Sequence, residues 1–297
     1  MCKAKLRMPL LVALTLVAWP VVTPAQATGH WVKGTKFAPL SEPAEEYWSA
    51  TANGKFYLFG GSPVRTGDKA VLPGRVIEYD PATDKFNSKK QMPRPSEHMT
   101  LAEAGGKIYL FGGLSTEHPG ETTPGNFYLK DSWQYDPAND SWKAVAPMPE
   151  PRQAGAAVEV NGKIYVIGGR VGAAFISIAS DISLVEIYNP ATDTWEPPGA
   201  RMPTARSAVA SAVYNAKIYV AGGEWQDPVV QTAFRVFEVY DPATNTWSVL
   251  PPMATPRHGV AGAVIGNRFY AVSGDVQSSG TGVAVSTPAA TAFEFSK

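Results

Sequence analysis

One stretch of sequence occurs five times in this chain of 297 residues and decides its fold. Each copy has an apolar strand, a two-residue turn, a second apolar strand and a closing pair that is Gly-Gly or, in the last copy, Ser-Gly. The copies read SATANGKFYLFGG (49–61), LAEAGGKIYLFGG (101–113), AAVEVNGKIYVIGG (156–169), SAVYNAKIYVAGG (211–223) and AGAVIGNRFYAVSG (261–274). Their closing pairs lie 52, 56, 54 and 51 residues apart, so the chain is built from a repeat of nearly constant length.

A second signature follows each of the first four copies: a Tyr-Asp-Pro or Tyr-Asn-Pro turn, then an aromatic residue, then a Met. Its Tyr residues are Tyr79, Tyr135, Tyr188 and Tyr240, its aromatic residues are Phe86, Trp142, Trp195 and Trp247, and its Met residues are Met92, Met148, Met202 and Met253. Pro presets φ in such a turn, and Asp accepts hydrogen bonds from nearby amides. The Asn-Gly-like pair inside each copy suits a type I′ hairpin turn, because that turn needs positive φ at both central residues.

The strand after the hairpin turn is apolar on both faces, as in the run 108–111, so both of its sides must be covered. Each unit is therefore predicted to be a four-stranded antiparallel sheet with strands a, b, c and d. One such sheet cannot bury two apolar faces alone. Sheets packed around a common axis can do so, which predicts a β-propeller.

The period, the glycine pair, the Tyr and the Trp together resemble the kelch repeat. The resemblance covers residues 31–297 and implies an all-β, five-bladed kelch-type propeller, whereas kelch propellers usually have six or seven blades. It implies little about function, because one fold hosts many activities. The predicted blades are 41–92, 93–148, 149–202, 203–253 and 254–297.

The last unit ends after the equivalent of strand c and lacks strand d with its Trp. Trp31 and its neighbours supply such a strand near the other end of the chain, and Pro39-Leu40 then aligns with Pro147-Met148. We therefore predict that a strand over 29–35 forms the outer strand of the last blade and closes the ring. In this arrangement Trp31 packs between the first and last blades, as a large aromatic side chain can.

The first residues are predicted to be a signal peptide. A basic start, an apolar run over 10–19 and the small-x-small sequence Ala-Gln-Ala over 25–27 together predict cleavage after residue 27, so that Thr28 begins the mature protein. An amphipathic first helix is the alternative. Export predicts a periplasmic or secreted protein, and Cys2, the only cysteine, leaves with the signal.

The charge balance argues against nucleic acid as a partner. The full chain has 26 basic and 26 acidic residues, and cleavage leaves 23 basic against 26 acidic. Binding to phosphates requires a concentrated basic face, which this balance does not favour. After the leader, no segment is long and apolar enough to predict a membrane span.

The candidate binding face follows from the alternation of strand direction. In an a-b-c-d sheet, the b–c connections and the d–a crossings emerge on one side, and the a–b and c–d turns on the other. The turns are short and alike, but the b–c connections are long and all different. Variable loops on a repeated scaffold favour a binding role, so we predict a ligand face at the channel mouth. The predicted b–c connections are 62–75, 114–131, 170–183, 224–235 and 275–291.

Repetition also separates scaffold residues from candidate ligand contacts. Arg152, Arg206 and Arg257 recur at one position, which indicates either buried structural arginines or a ring of cations that grips an anionic ligand. Kelch ligand-binding domains use arginines from this region, which supports the second role. Other positions break the repeat or follow the glycine pairs. The predicted ligand contacts are Glu46, Tyr47, His98, Arg170, Glu224, Trp225 and Arg257.

These loop positions are expected to be exposed, so alanine there should change stability by no more than about 0.5 kcal/mol. The tract 276–291, rich in Ser, Gly, Thr and Ala, is expected to be a mobile loop. A carboxylate, an imidazole and an exposed aromatic ring over one channel suit the recognition of a protein or a small sugar-like ligand.

Two functions remain open. The first is a noncatalytic binding module for a protein or sugar-like ligand. The second is an enzyme resembling the exported sialic acid mutarotases, which are also kelch propellers. Anomer interconversion needs a general acid/base, for which Glu224 or Glu46 could serve, and an arginine for the substrate carboxylate, for which Arg170 could serve.

No cofactor or metal is predicted. His118 and Glu121 are three residues apart, but they lie in a Gly/Pro loop rather than on a helix, so the spacing indicates no metal site. Galactose oxidase shares the kelch fold, but its copper-radical chemistry requires a Tyr–Cys cross-link. The predicted mature chain has no cysteine for that link.

Overall fold

The computed structural model describes residues 38, 40, 47–61, 64–66, 69–71, 73–115, 127–172, 179–281 and 285–295. Over these residues the chain forms a five-bladed β-propeller, which confirms the predicted fold class. The predicted signal peptide, the predicted closing strand and Glu46 lie outside the described residues.

Each of the first four blades has a four-stranded sheet and a short hairpin inserted between strands b and c. Blade 1 contains β1 (Tyr47–Ala52), β2 (Lys55–Gly60), β3 (Val64–Thr66), β4 (Lys69–Val71), β5 (Val76–Asp80) and β6 (Lys85–Ser88). Blade 2 contains β7 (Thr100–Ala104), β8 (Lys107–Phe111), β9 (Leu114–Ser115), β10 (Phe127–Tyr128), β11 (Ser132–Asp136) and β12 (Ser141–Ala144).

Blades 3 and 4 repeat this order, and blade 5 has three strands in the described residues. Blade 3 contains β13 (Ala156–Val160), β14 (Lys163–Ile167), β15 (Arg170–Gly172), β16 (Ala179–Asp181), β17 (Val185–Asn189) and β18 (Thr194–Gly199). Blade 4 contains β19 (Ala210–Tyr214), β20 (Lys217–Ala221), β21 (Glu224–Gln226), β22 (Gln231–Ala233), β23 (Phe237–Asp241) and β24 (Thr246–Leu250). Blade 5 contains β25 (Ala261–Ile265), β26 (Arg268–Val272) and β27 (Ala290–Glu294), with a 3-10 helix at Ser279–Thr281.

The hairpin turns and the glycine pairs have the geometry that the sequence predicted. Asn53 and Gly54 have φ values of 52° and 74°, both positive as a type I′ turn requires. Gly112, in the pair after β8, has φ 62°, and a Cβ there would lie 2.3 Å from the carbonyl oxygen of Arg152 in the next blade. The pair is therefore the place where the end of strand b touches the neighbouring blade.

The Tyr signature joins adjacent blades. In blade 3, one carboxylate oxygen of Asp193 accepts hydrogen bonds from the Tyr188 hydroxyl at 2.7 Å and from the backbone N–H of Ala146 in blade 2 at 2.7 Å. The indole N–H of Trp195 donates to the carbonyl of the same Ala146 at 3.0 Å. Blades 2 and 4 make the equivalent contacts to Lys90 and to Ala200. Each turn thus holds one backbone residue of the preceding blade by its N–H and its C=O.

Blade 1 makes part of this contact with the chain before it. Asp84 accepts a hydrogen bond from the backbone N–H of Ala38 at 2.9 Å. Ala38 precedes Leu40 by two positions, as Ala146 precedes Met148. Ala38 therefore makes with Asp84 the backbone contact that Ala146 makes with Asp193.

The apolar core lies between the blades. The clusters between blades 1 and 2, 2 and 3, and 3 and 4 are each packed against the Trp of the later blade, namely Trp142, Trp195 and Trp247. The cluster between blades 4 and 5 contains Phe237 and Phe269. Beside it is a cavity of about 250 Å³, whose lining includes both of these side chains.

Candidate functional site

The b–c connections and the d–a crossings meet on one side of the propeller, as strand alternation predicts. Isolated bridges join each crossing to the residue that follows the closing pair of the same blade. We call the surface formed by these segments in blades 2 to 5 the loop face. Its bridged pairs are Glu97 with Leu114, Gln153 with Arg170, Ser207 with Glu224, and His258 with Asp275.

A chain of backbone hydrogen bonds links the crossings of the loop face. The N–H of Ala154 donates to the carbonyl of His98, that of Ala208 to Ala154, and that of Gly259 to Ala208, at 2.7, 2.8 and 2.9 Å. All four residues are left-handed, with φ between 51° and 59°. This conformation suits glycine and costs other residues roughly 1 kcal/mol. Three of the four have small side chains, and only His98 has a large one.

His98 lies at a junction of aromatic and charged groups. Its ring centroid is 4.9 Å from that of Trp48, and its Nδ1 is 3.9 Å from a carboxylate oxygen of Glu97. The side chain is 20% exposed, so a ligand can reach part of it. Burial, aided by the charge of Arg170, lowers the pKa of His98 to about 4, so the imidazole is neutral at pH 7.

Arg170 and Glu224 form a buried ion pair on the loop face. Their Nη2 and Oε1 atoms are 2.7 Å apart, and each residue is 2% exposed. Arg170 also donates to the Ser207 hydroxyl at 2.8 Å, and its Nε lies 3.6 Å from Asp181. The prediction that loop-face candidates are exposed is wrong for Arg170 and Glu224, because the pair holds both side chains beneath the surface.

The Glu224 carboxylate binds a segment of blade 5. It accepts hydrogen bonds from the Ser278 hydroxyl at 2.8 Å and from the backbone N–H of Ser279 at 2.8 Å, and the Ser279 hydroxyl also donates to it. Burial tends to raise the pKa of Glu224, but the neighbouring His258 and Arg170 and these hydrogen bonds outweigh burial and lower it. Ser278 and Ser279, within the tract 276–291 that is predicted to be mobile, both bind this carboxylate.

The contacts of Glu224 extend into one cluster that spans three blades. Asp181 of blade 3 accepts a hydrogen bond from the backbone N–H of Gln226 in blade 4. The Gln226 side chain in turn donates to Glu224 and to Ser279 of blade 5. We call this set the polar cluster, and it ties three b–c connections into a single unit. Its members are Arg170, Asp181, Glu224, Gln226, Ser278 and Ser279.

Sequence reasoning identified two of these six residues. It missed Asp181, for which one usable signal exists: Asp181 faces Arg170 across the β15–β16 hairpin. It did not select Gln226, and it missed Ser278 and Ser279 because a Ser- and Gly-rich tract shows no periodicity.

The repeated arginines have structural positions. Arg152 and Arg206 are each 0% exposed and form ion pairs with buried glutamates of strand c, Glu186 and Glu238. Both also donate to backbone carbonyls. Of the two roles that repetition left open, the structure therefore gives them the structural one.

Arg257 has the same character. It is fully buried, and its guanidinium donates to the carbonyls of Ser273 and Ala289 at 3.0 and 2.7 Å and to the Thr291 hydroxyl at 2.7 Å. These partners all belong to blade 5 and lie outside the polar cluster. The guanidinium of Arg257 is therefore held within blade 5 and is not part of the polar cluster.

The remaining candidates lie apart from the polar cluster or at its edge. Tyr47 is the first residue of β1, half-buried and paired with Gly60. Trp225 lies between two cluster residues, is half-buried, and donates its indole N–H to Asp227 at 2.7 Å.

The described ranges contain no group of three His, Cys, Asp or Glu side chains that could hold a metal ion. Within the same ranges, no helix has the length and apolar character needed to cross a bilayer.

Two groups of the loop face should respond to pH with opposite sign. Burial raises the pKa of Asp181 to about 6, although Arg170 opposes the shift, so Asp181 adds stability as pH falls through 6. The depressed pKa of His98 removes stability as pH falls from 6.5 toward 4. The two effects should largely cancel in the wild-type protein.

Single variants should separate the two effects. Between pH 7 and pH 4.5, Asp181→Asn should lose about 2 kcal/mol more unfolding free energy than wild type, and His98→Ala about 2 kcal/mol less. Urea unfolding at both pH values measures this, with the double variant as the control that has neither effect. Parallel pH profiles for all four proteins would contradict the assignment.

The comparisons with known proteins agree with this architecture. The fold is a β-propeller built from five repeated units, with variable loops on one face. The model of the KLHDC2/KLHL20/DRC7 Kelch-repeats domain matches residues 50–274, and the chain therefore belongs to the kelch-repeat family.

Two curated relatives are each 28% identical in sequence to this chain. Kelch-like protein terF of Aspergillus terreus is 28% identical over 256 residues, covering 86% of this chain and 54% of the relative. Kelch-like protein 25 of Xenopus tropicalis is 28% identical over 217 residues, covering 71% of this chain and 34% of the relative. The chain thus spans about half or less of the length of these relatives.

The solved structure of YjhT is similar in fold, with a TM-score of 0.69 and 15% sequence identity. The match covers 84% of this chain and 81% of that one. At this identity the likeness concerns the fold alone.

Proposed function

We propose that this chain is an exported binding module whose loop face recognises a partner protein at the channel mouth. Kelch propellers are in general protein-interaction modules. The polar cluster supports a binding role, because it holds b–c connections of three blades in one arrangement before any partner arrives. A preorganised surface loses less conformational freedom on binding. A small sugar-like ligand is the narrower alternative for the same face.

The observation that carries the proposal is His98. The same position holds Ala154, Ala208 and Gly259 in the next three blades, so the fold does not require a large side chain there. A histidine kept in a left-handed conformation, beside Trp48 and partly exposed, is better explained by function than by stability.

Binding is favoured over acid–base catalysis. The enzymatic alternative needs a free carboxylate and a free guanidinium, and it assigned these to Glu224 and Arg170. The two groups are 2.7 Å apart and bound to each other, and Glu224 also accepts hydrogen bonds from Ser278 and Ser279. The other candidate acid, Glu46, lies outside the described residues.

The test is the variant His98→Ala, which installs the residue of blades 3 and 4. We expect it to leave the melting temperature at pH 7 within a few degrees of wild type, because the backbone there accepts alanine. Affinity for a partner should fall about 10-fold, since a lost contact to a partly buried polar group costs about 1–2 kcal/mol. Partners are isolated from the exported fraction of the native host on immobilised wild type and then titrated against both proteins.

The matched control is Asn161→Gly, which lies in the left-handed a–b turn of blade 3 on the opposite side. It should leave affinity unchanged. Loss of affinity in Asn161→Gly with normal binding by His98→Ala would move the functional face to the other side.

A further inference from the structure

The hairpin between strands b and c of blade 4 presents an apolar tip. The tip is the turn 227–230 between β21 and β22. Val229 is 89% exposed and Val230 is 50% exposed, and Val229 is the most exposed large apolar side chain of the described residues. Contiguous exposed apolar surface marks interaction sites, whereas apolar side chains exposed singly do not.

The turn that holds these valines is fixed by Asp227. Its Oδ1 accepts hydrogen bonds from the backbone N–H groups of Val229 and Val230 at 2.7 and 2.5 Å. Its Oδ2 accepts the indole N–H of Trp225 at 2.7 Å, and the Asp227 N–H donates back to the Val230 carbonyl at 3.0 Å. These hydrogen bonds hold the carboxylate ionised and lower the pKa of Asp227.

The base of the hairpin is fixed as well. Glu224 and Gln226, the two ends of β21, are both members of the polar cluster and are 2% and 0% exposed. Ser279 binds both of them, and Gly280 packs against Gln231 of β22 so closely that a Cβ there would lie 2.7 Å from it. The hairpin is thus anchored at its base and fixed at its tip, so it holds the valines out without further ordering.

Charge identifies the kind of surface that the tip fits. From Trp225 to Phe234 the sequence has one carboxylate, that of Asp227, and no Lys or Arg; the next basic residue, Arg235, follows β22 rather than lying in the turn. Glu224 is buried against Arg170, so it adds no charge to this surface. Anionic lipid headgroups would repel such a hairpin, because peripheral membrane elements carry basic residues. A protein pocket that is apolar inside and basic at its rim complements both the valines and the Asp227 charge.

We propose that Val229 and Val230 are the apolar anchor by which the loop face docks into an apolar pocket, rimmed by Lys or Arg, on a partner protein. The proposal rests on the proposed function and names its contact element. Binding should weaken as salt rises, because the rim contact is electrostatic.

The test places p-benzoylphenylalanine at position 229 of the full chain and irradiates it with the exported fraction of the native host. The matched control carries the same probe at position 249, where Val249 of β24 is 71% exposed on another surface of the same blade. We expect a protein cross-linked from 229 and absent from 249. That protein, purified and titrated, should bind the double variant Val229→Ser/Val230→Ser at least 10-fold more weakly and the variant Val249→Ser normally.

Other results would overturn the proposal. These are cross-links to lipid only, identical products from 229 and 249, no protein product from 229, or unchanged affinity of the double variant. Both valines are exposed, so the double variant should keep the wild-type melting temperature and its binding can be read directly. Normal binding by the double variant with weakened binding by His98→Ala would reject the anchor and leave the proposed function standing. Loss of binding only in Asn161→Gly would reject the proposed function itself.

Discussion

Replacing Arg206 with Ala should lower the free energy of unfolding by about 3–5 kcal/mol, the usual cost of removing one partner of a buried ion pair. Arg206 and Glu238 are 0% and 1% exposed, so the variant would leave a carboxylate buried without its cation. Thr204 would still donate to Glu238 at 2.9 Å, but one neutral hydrogen bond does not replace a guanidinium. Urea unfolding at pH 7 measures the loss.

Two controls show whether burial causes this effect. Arg268 and Glu294 form an exposed pair, with side chains 41% and 59% accessible, and Arg268→Ala should cost no more than about 1 kcal/mol. The double variant Arg206→Met/Glu238→Leu should recover most of the loss, because apolar residues remove both charges together. A loss in Arg206→Ala no larger than that in Arg268→Ala would refute the structural role.

The repeat itself supports this pairing. Blade 4 has Arg206 with Glu238, whereas blade 2 has Ser96 and Trp133 at the two equivalent positions. Blade 2 thus lacks both the cation and the carboxylate, not only one of them. An ion pair that is costly to break should vary in this way between copies. In blade 5, Arg257 faces Thr291 and donates mainly to carbonyl groups instead.

Replacing Trp31 with Ala should lower the melting temperature about as much as Trp142→Ala, which corresponds to about 3–5 kcal/mol. Trp142 packs with Phe59 of the preceding blade, at 6.2 Å between ring centroids, and donates to the Lys90 carbonyl. Trp31 is predicted to do the same in the strand that closes the last blade, by packing between the first and last blades, so its loss should cost as much.

Thermal unfolding of the full chain tests the prediction, with Trp225→Ala as a control because Trp225 is half-buried in β21, the short strand of a b–c connection. Trp31→Phe should lie between wild type and Trp31→Ala, since phenylalanine fills part of the space without an N–H. A melting temperature unchanged by Trp31→Ala would show that this residue does not complete the fifth blade.

The sequence alone determined the repeat, the number of blades, the strand order within each blade and the side on which the b–c connections emerge. It could do so because each of these features depends on local chemistry that recurs in every unit. Asn53-Gly54 supplies the left-handed turn, and Tyr188 with Asp193 supplies the turn that joins two blades. A pattern that recurs five times in one chain is not explained by chance.

Only the tertiary structure decided what the loop-face residues do. Glu224 and Ser279 are 55 residues apart. Neither recurs in the other repeats, and both belong to segments with no periodicity, so no pattern in the sequence links them. The same holds for Arg170, which the sequence suggested as an exposed ligand contact and the fold buries beside Glu224. Burying two opposite charges is favourable only when they meet, and whether they meet is set by how the blades pack rather than by the residues of either loop.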